Sequence, residues 1–428
     1  MLPLLDPDPP AIFQPQRFIG MDIDKRTVVV IGLDPKQKTV IGPVRISLDR
    51  FEGWCLANLK SDDAVVMEAS VNTWHLYDLI LPLVGSVTVA HPLMVRLITA
   101  ARVKTDKEDA YKLARLLQAE MVPEVWVPPH HVRELRALVA HRKRLISQRT
   151  QARNRLHAVL HRHNLVPPKA TPFAACYREW WLELKLDPCE KLRVRQDLTL
   201  LDTLGPLITE VETELIQLSQ ATEWAEAATY LVQLPGLGIV SAMIILSAIG
   251  DITRFAAAEK LVGYAGLGAS VHSSGQTHQT GGITKEGRRE LRTALVESAW
   301  SAVEHHPHWK ARFDKLAGRM GKKKAIVAIA RKLLVTVWHV LFKREVDRQA
   351  VPEKVALKLI IWSRKLKPEG RHGQSTAEFV RSRLDRLGLG AELEEVGWPS
   401  TPKLHLPPSS LRYDGSLTTV PTQMVASS

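Results

Sequence analysis

From about Arg17 the chain runs in short apolar stretches broken by turn residues. RFIGMDI, TVVVIGL and TVIGPVRISL are rich in β-branched side chains and separated by DKR and DPKQK, so they predict three consecutive strands. RFEGWCLANLK then predicts a helix, AVVMEAS a short buried strand, TWHLYDLILPLV a helix and VTVAHP another strand. DKEDAYKLARLLQAE carries apolar residues at helical spacing, with Thr105 placed to cap it. Three antiparallel strands followed by alternating helix and strand is the order of an RNase H-like α/β fold. This domain is expected over residues 17–128, behind an N-terminal extension at 1–16.

The pattern changes near His130. HHVRELRALVAHRKRLISQRTQARNRLHAVLHRHN is an amphipathic helix with Leu135, Leu138, Leu145, Leu156 and Leu160 near one stripe and arginines around it. LTLLDTLGPLITEVETELIQLSQ is a second long helical pattern of acidic character. Residues 129–227 therefore predict a helical hairpin or coiled-coil region, and 228–348 a mainly α-helical domain. Beyond it, 349–428 reads as a C-terminal extension. One helical stretch, TAEFVRSRLDRLGLGAELEEV, precedes a Pro- and Ser-rich end expected to be partly disordered.

Length and charge narrow the class. A chain of 428 residues exceeds one ordinary core, so several domains are expected. The formal charge of +13 points to a polyanionic partner, most often nucleic acid. The N-terminus lacks a basic region and is broken by prolines, unlike a signal peptide. Residues 231–250 are apolar for about a membrane's width, but Gln233, a Pro-Gly-Leu-Gly turn, Asp251 and the lack of a second such run argue against a spanning helix. Cys55, Cys176 and Cys189 form neither a CxxC pair nor a disulfide framework, which fits a cytoplasmic setting without a membrane.

Four acids stand out by placement. Asp22 lies inside the first apolar strand, where a charge needs a reason, and Glu68 ends the buried strand AVVMEA. Asp106 and Asp109 are three apart and share one face of the predicted helix. In an RNase H-like sheet these elements converge on one end, which gives an oxygen-rich site suited to Mg²⁺ or Mn²⁺. Such ions serve phosphoryl transfer. Asp24 and Glu108 are neighbouring alternatives, and each acid alone is also explained as a strand-end or helix-start charge.

Several basic and glycine positions are candidate phosphate contacts. In LPGLGIVSAMIILSAIGD a tight turn leads into a helix, resembling half of a helix-hairpin-helix element. Gly236 and Gly238 would offer backbone N–H groups there, although a simple helix–helix turn reads the same. GRMGKKKAIVAIARKLL presents Lys322, Lys323, Lys324, Arg331 and Lys332. Lys285 and Arg292 in GGITKEGRRELRTAL, and Arg142, Arg149 and Arg153 on the basic helix, complete the set.

Between apolar helical segments lies GASVHSSGQTHQTGG, residues 268–282. Its composition alone favours a solvated loop, since Ser and Gly are ordinary turn residues; the rival reading is a Gly-flanked nucleophile, Ser274 or Ser273. His272 and His278 are near in sequence, but no Ser-His-Asp order is evident.

These pieces resemble a known family. MDIDK, MEAS and KTDKEDAYKLARLL are similar to the DEDD motif of the insertion-sequence-110 family of bacterial transposases. PGLGIVSAMIILSAIGD, LVGYAGLGASVHSSG, GGITKEGRRELRTAL and GKKKAIVAIARKLL are similar to its second domain. The resemblance covers roughly residues 17–345. It implies a RuvC-like first domain with metal ligands Asp22, Glu68, Asp106 and Asp109, and a nucleophilic Ser274 before Gly275.

It further implies a recombinase that holds DNA as a phosphoseryl intermediate, with the metal site supplied by another protomer. Dimers and tetramers, donor and target DNA, a structured bridge RNA and a bacterial, nucleoid-associated location follow as expectations of the same kind. The chain departs from the family at Ser70-Val71-Asn72, where a Gly-containing run is common, and at Arg288, where Asn is common. Those departures bear on local loop geometry. Two rival readings are a purely hydrolytic RuvC-like nuclease and a non-catalytic nucleic-acid-binding protein.

Overall fold

The computed structural model describes residues 13–99, 105–169, 171–274 and 277–413, with the backbone alone over 271–274 and 277–280. Two compact units divide the chain after Pro128.

The first unit is built on a five-stranded sheet. Its strands are β1 (Arg17–Ile23), β2 (Thr27–Leu33), β3 (Thr39–Ser47), β4 (Asp63–Glu68) and β5 (Ser86–Ala90). The spatial order is β3-β2-β1-β4-β5, with β1–β2 and β2–β3 antiparallel and β1–β4 and β4–β5 parallel. Four helices accompany them: α1 (Leu48–Asn58), α2 (Thr73–Ile80), α3 (Pro92–Ile98) and α4 (Asp106–Gln118). The arrangement is compatible with an RNase H-like domain. The mostly β-branched strands alternate between two covered faces. Ile19, Met21, Val65 and Met67 pack with Phe51, Cys55, Leu76 and Ile80 of α1 and α2. On the other face Val29, Ile31 and Leu33 meet Ala110 and Ala114 of α4, and Val66 meets Leu113 and Leu116.

Arg17 fixes the start of this sheet. Its Nε and Nη2 donate to the two carboxylate oxygens of buried Asp63 at 2.6 and 2.7 Å, across the Arg17–Asp63 register pair. The pairing raises the guanidinium pKa, chiefly through the hydrogen bond to Asp63.

Gly20 sets how close α4 comes. A Cβ there would lie 2.0 Å from the Ala110 carbonyl oxygen and 2.7 Å from the Ala114 nitrogen. Both are backbone atoms, so the helix itself must move. Gly20→Ala is expected to lower stability by about 1–3 kcal/mol, read as a lower urea midpoint at an unchanged slope. A midpoint equal to the parent's would contradict this close contact.

The second unit is helical. Its two longest helices, α5 (His130–Arg162) and α7 (Pro188–Leu218), flank a short α6 (Arg178–Glu183). Ala152, Leu156, Val159 and Leu160 of α5 pack with Val194, Leu198 and Leu201 of α7. The ion pairs Arg142–Glu212, Arg155–Asp197 and Arg162–Glu190 show that the two run antiparallel. The contrast between a basic and an acidic helix is thus a pairing device along much of a helical hairpin.

Helices α8 (Ala225–Val232), α9 (Ile239–Ile249) and α10 (Ala258–Tyr264) precede a hairpin of β6 (Ala269–Ser274) and β7 (Thr277–Ile283). Helices α11 (Arg289–His305), α12 (Pro307–Met320) and α13 (Lys322–Lys343) follow it. Helix α9 is buried over nine of its eleven residues, which explains its apolar composition. Among the described residues one helix, α13, is long and apolar enough to cross a membrane. Ala325, Ile326, Ile329, Leu333, Leu334 and Val337 bury its apolar side inside the unit.

The C-terminal extension is built as well. It contains α14 (Pro352–Lys365), α15 (Thr376–Leu387) and a small antiparallel pair, β8 (Glu395–Val396) with β9 (Leu404–His405). Ser375 and Glu378 form a capping box on α15. The Pro- and Ser-rich end is anchored at Ser409 and Ser410, from which Asp385 accepts hydrogen bonds at 2.7–2.9 Å. Residues 414–428, the rest of the segment expected to be disordered, lie outside the described residues.

Candidate active site

Three elements of the first unit bring the four predicted acids to one end of the sheet. Asp22 is the penultimate residue of β1 and Glu68 the last of β4. The parallel register pairs Met21 with Met67, so Asp22 and Glu68 follow as the next positions on adjacent strands. Gly20 and Val66, two residues earlier on each strand, both face α4. Strand alternation puts Asp22 and Glu68 on that same face.

Helix α4 runs antiparallel to β1. Gln118 near its C-terminus donates to the Pro35 carbonyl at 2.8 Å, beyond the Phe18–Leu33 pair. Asp106 at its start meets Arg45, which pairs with Val29 and so lies level with Asp22. The first turn of α4, with Asp106 and Asp109, therefore lies at the Asp22 and Glu68 end. Thr105 caps this turn, accepting from the Glu108 nitrogen at 3.2 Å, as expected from its position.

The alternatives are placed differently. Asp24 lies past β1 in the turn to β2, its nitrogen donating to the Thr27 carbonyl at 2.9 Å. Glu108 is exposed, whereas Asp106 and Asp109 are half-buried.

The carboxylates do not yet form a closed ligand set. Among the described residues, no three His, Cys, Asp or Glu side chains form a group that could hold a metal ion. Asp106 is engaged by Arg45, which also donates to Thr27 Oγ1 at 3.3 Å, and Asp109 lies 3.3 Å from Lys112 Nζ. Arg45 carried no sequence signal, since only the β2–β3 register brings it to α4. The donor chemistry nevertheless fits a hard divalent cation: carboxylates alone, from three elements, on one face at one end.

In the second unit the predicted polar loop is a β-hairpin. Ser273 pairs with His278 and Ser274 with Thr277, leaving 275–276, with Gly275, outside the described residues. Ser274 is thus the last residue of β6 rather than part of a long loose loop. The Ser-, Gly- and His-rich composition hid the strands, because no apolar alternation marks them.

The foot of the hairpin is tied down. The Thr284 nitrogen donates to the Gly268 carbonyl at 2.9 Å and the Lys285 nitrogen to Gly266 at 3.2 Å. Arg292 Nη1 donates to the carbonyls of Ala265 and Gly287 at 3.0 and 3.2 Å. Gly287, at φ +114°, has no room for a side chain, since its Cβ would lie 2.1 Å from the Tyr264 carbonyl oxygen.

The candidate phosphate contacts divide by environment. Lys322, Lys323 and Lys324 are exposed in the first turn of α13, and Arg331 and Lys332 are exposed further along it. Arg142 is engaged with Glu212, its Nε at 2.9 Å, and Arg153 stacks 5.3 Å from the Phe173 ring. Arg149 is half-buried on the same helix. A Cβ on Gly236, at φ +78°, would lie 2.1 Å from the Ser298 carbonyl oxygen. Close packing on α11 therefore accounts for this glycine, while Gly238 caps the start of α9 with open space around it.

Two family models match the chain. One, for the DEDD transposases of IS110 and described as Transposase, covers residues 19–165; the other, described as Transposase IS116/IS110/IS902 family, covers 228–314. The chain belongs to the IS110 family of transposases. The first match contains all four acids, and the second contains the hairpin. The IS1111A transposase of Coxiella burnetii is 27% identical over 344 residues, 78% of this chain and 91% of that one. The protein y4qE of Sinorhizobium fredii, a transposase by name, is 29% identical over 301 residues, 64% of this chain and 74% of that one. The pilin gene-inverting protein of Moraxella bovis is 29% identical over 266 residues, 60% of this chain and 72% of that one. This IS110-family protein is accordingly a DNA transposase or recombinase of an insertion sequence, and the DEDD domain suggests a divalent-metal requirement.

Proposed function

We propose that this transposase cuts and rejoins DNA through Ser274, with Asp22, Glu68, Asp106 and Asp109 acting at the same phosphate. The reading rests on four carboxylates from β1, β4 and α4 at one end of a single sheet. Family membership and the serine at the end of β6 support the covalent route.

Ser274 Oγ attacks phosphorus and loses its proton, while one deoxyribose oxygen leaves and takes up a proton. The phosphodiester count is unchanged. A second DNA hydroxyl then displaces the serine, so joining needs no ATP. The acids would hold Mg²⁺ or Mn²⁺, which supplies charge stabilisation at the scissile phosphate. For Asp106 to join that set, its carboxylate must leave Arg45. The tied hairpin foot restricts where the serine travels. By family resemblance, acids and serine come from different protomers of a dimer or tetramer, and a bridge RNA pairs donor and target DNA in the bacterial cytoplasm.

Incubation with element-end DNA, its flanking RNA and Mg²⁺ tests this directly on a denaturing gel. A protease-sensitive protein–DNA adduct is expected. Cleavage without an adduct would indicate hydrolysis by water. Chelation with EDTA is expected to stop cleavage, and added Mg²⁺ or Mn²⁺ to restore it; undiminished cleavage in EDTA would rule out the metal role.

A further inference from the structure

Three arginines and a tyrosine meet at the C-terminal end of α9. Arg136, from α5, donates through Nε to the Ser247 carbonyl at 2.8 Å and through Nη2 to Ala248 at 3.1 Å. Arg254 donates through Nε to Ile249 at 2.9 Å, and its guanidinium lies 4.3 and 4.5 Å from the ring centroids of Phe255 and Tyr264. The Tyr264 hydroxyl donates to Ala248 at 3.1 Å and accepts from Arg288 Nε at 3.2 Å. All four side chains are half-buried.

The end of α9 needs part of this charge but not all of it. A helix C-terminus carries about half a negative charge and is satisfied by one or two cations. Arg254 and Arg136 fill that role. Arg288 adds a third guanidinium whose hydrogen bond goes to the phenol instead. Nearby carboxylates have their hydrogen bonds elsewhere and act on the cluster only through space: Asp251, which faces Arg254, accepts from the Thr253 nitrogen and hydroxyl at 2.8 and 2.7 Å, and Glu290, which faces Arg288, is 2.5 Å from Lys143. The crowding registers in the groups themselves. Burial, then Arg288 and Arg254, push Arg136 down to about 10, so it remains charged at neutral pH. Burial opposes it, yet Arg288, Arg136 and Arg254 hold the Tyr264 phenol below its ordinary value.

Tyr264 and Arg288 also bracket the hairpin, Tyr264 ending α10 and Arg288 standing just before α11. We infer that Arg288, Tyr264, Arg254 and Arg136 form a phosphodiester-binding site at the foot of the hairpin, filled by a backbone phosphate of nucleic acid. The six residues of β6 advance about 3.3 Å each, so Ser274 stands about 20 Å along the strand from the hairpin's foot. That span is about six base pairs of duplex DNA. The site would anchor the DNA several nucleotides from the attacked phosphate. That choice of ligand rests on the proposed role of Ser274, whereas the phosphate site does not.

Binding in a Ser274→Ala background separates the two claims, because no chemistry is needed. Anisotropy titrations with a short duplex DNA and a single-stranded RNA, over a range of NaCl, give the slope of log affinity against log salt. Arg288→Gln is expected to reduce the duplex slope by about 0.9, the value for one lost phosphate contact. Arg288→Lys keeps the charge and is expected to keep the parent slope, which ties the loss in Arg288→Gln to the cation rather than to the hydrogen bond with Tyr264. Thermal melts check folding, and Arg288→Met is read the same way if the Gln variant melts early. A slope change with RNA alone supports the site with RNA as its ligand. Parent-like slopes on both nucleic acids overturn it.

Discussion

Replacing Ser274 by Ala is expected to remove the covalent protein–DNA adduct and to lower strand transfer about a thousandfold or more, since no other group replaces the nucleophile. Ser273→Ala is expected to retain both. The two serines are consecutive in β6, Ser273 paired with His278 and Ser274 with Thr277. Ser274 is the one that the family pattern places before the glycine. Stability should be unaltered, because the change removes one hydroxyl at the last residue of β6. Full strand transfer by Ser274→Ala would sink the covalent route, and loss in Ser273→Ala alone would reassign the nucleophile.

The second large effect separates two kinds of acid on the same strand. Asp63 and Glu68 open and close β4. Asp63 is fully buried and bonded twice by Arg17, so Asp63→Asn is expected to cost about 3 kcal/mol, the low end for breaking a buried pair. Its mark is a lower melting temperature. Glu68→Gln and Asp22→Asn are expected to leave melting near the parent's. They should lower DNA cleavage at least about a hundredfold, as several kcal/mol of charge stabilisation disappear. Cleavage at the parent rate in both variants would remove these acids from the chemistry. Arg45→Gln probes the same site from outside, because it frees Asp106 without touching a carboxylate.

How legible all this was in the sequence depends on what each element needs from its neighbours. Strands β1, β2 and β4 announce themselves because both faces are covered, which forces continuous β-branched runs, and Thr105 marks the start of α4 by its own side chain. Glu68 and Asp22 could be picked out as charges at the ends of apolar strands. Their common face and end follow only from the fold order, and the β1–β4 register supplies them. Arg45 could not be found, since its partner lies far along the chain.

The hairpin escaped because Ser, His, Thr and Gly give no alternation, and its strands are ordered by each other and by the ties at 264–268 and 284–288. Helix α7 starts earlier than its acidic pattern suggests. Its first turns, PCEKLRVRQ, are largely polar but run along α5, with Asp197 paired to Arg155 and Glu190 to Arg162. The C-terminal end reads as low-complexity, yet Asp385 fixes Ser409 and Ser410 by contacts that composition does not reveal. Arg288, read first as a departure in a loop, becomes the third cation of the cluster at the hairpin foot.

The most direct measurement takes the adduct formed with DNA, RNA and Mg²⁺, trims it with nuclease and protease, and maps the nucleotide remnant by mass spectrometry. The account predicts the remnant on the peptide containing Ser274, joined through a phosphoester to that serine. A remnant on Tyr264 or any other residue, or efficient strand transfer with no modified peptide at all, would contradict it.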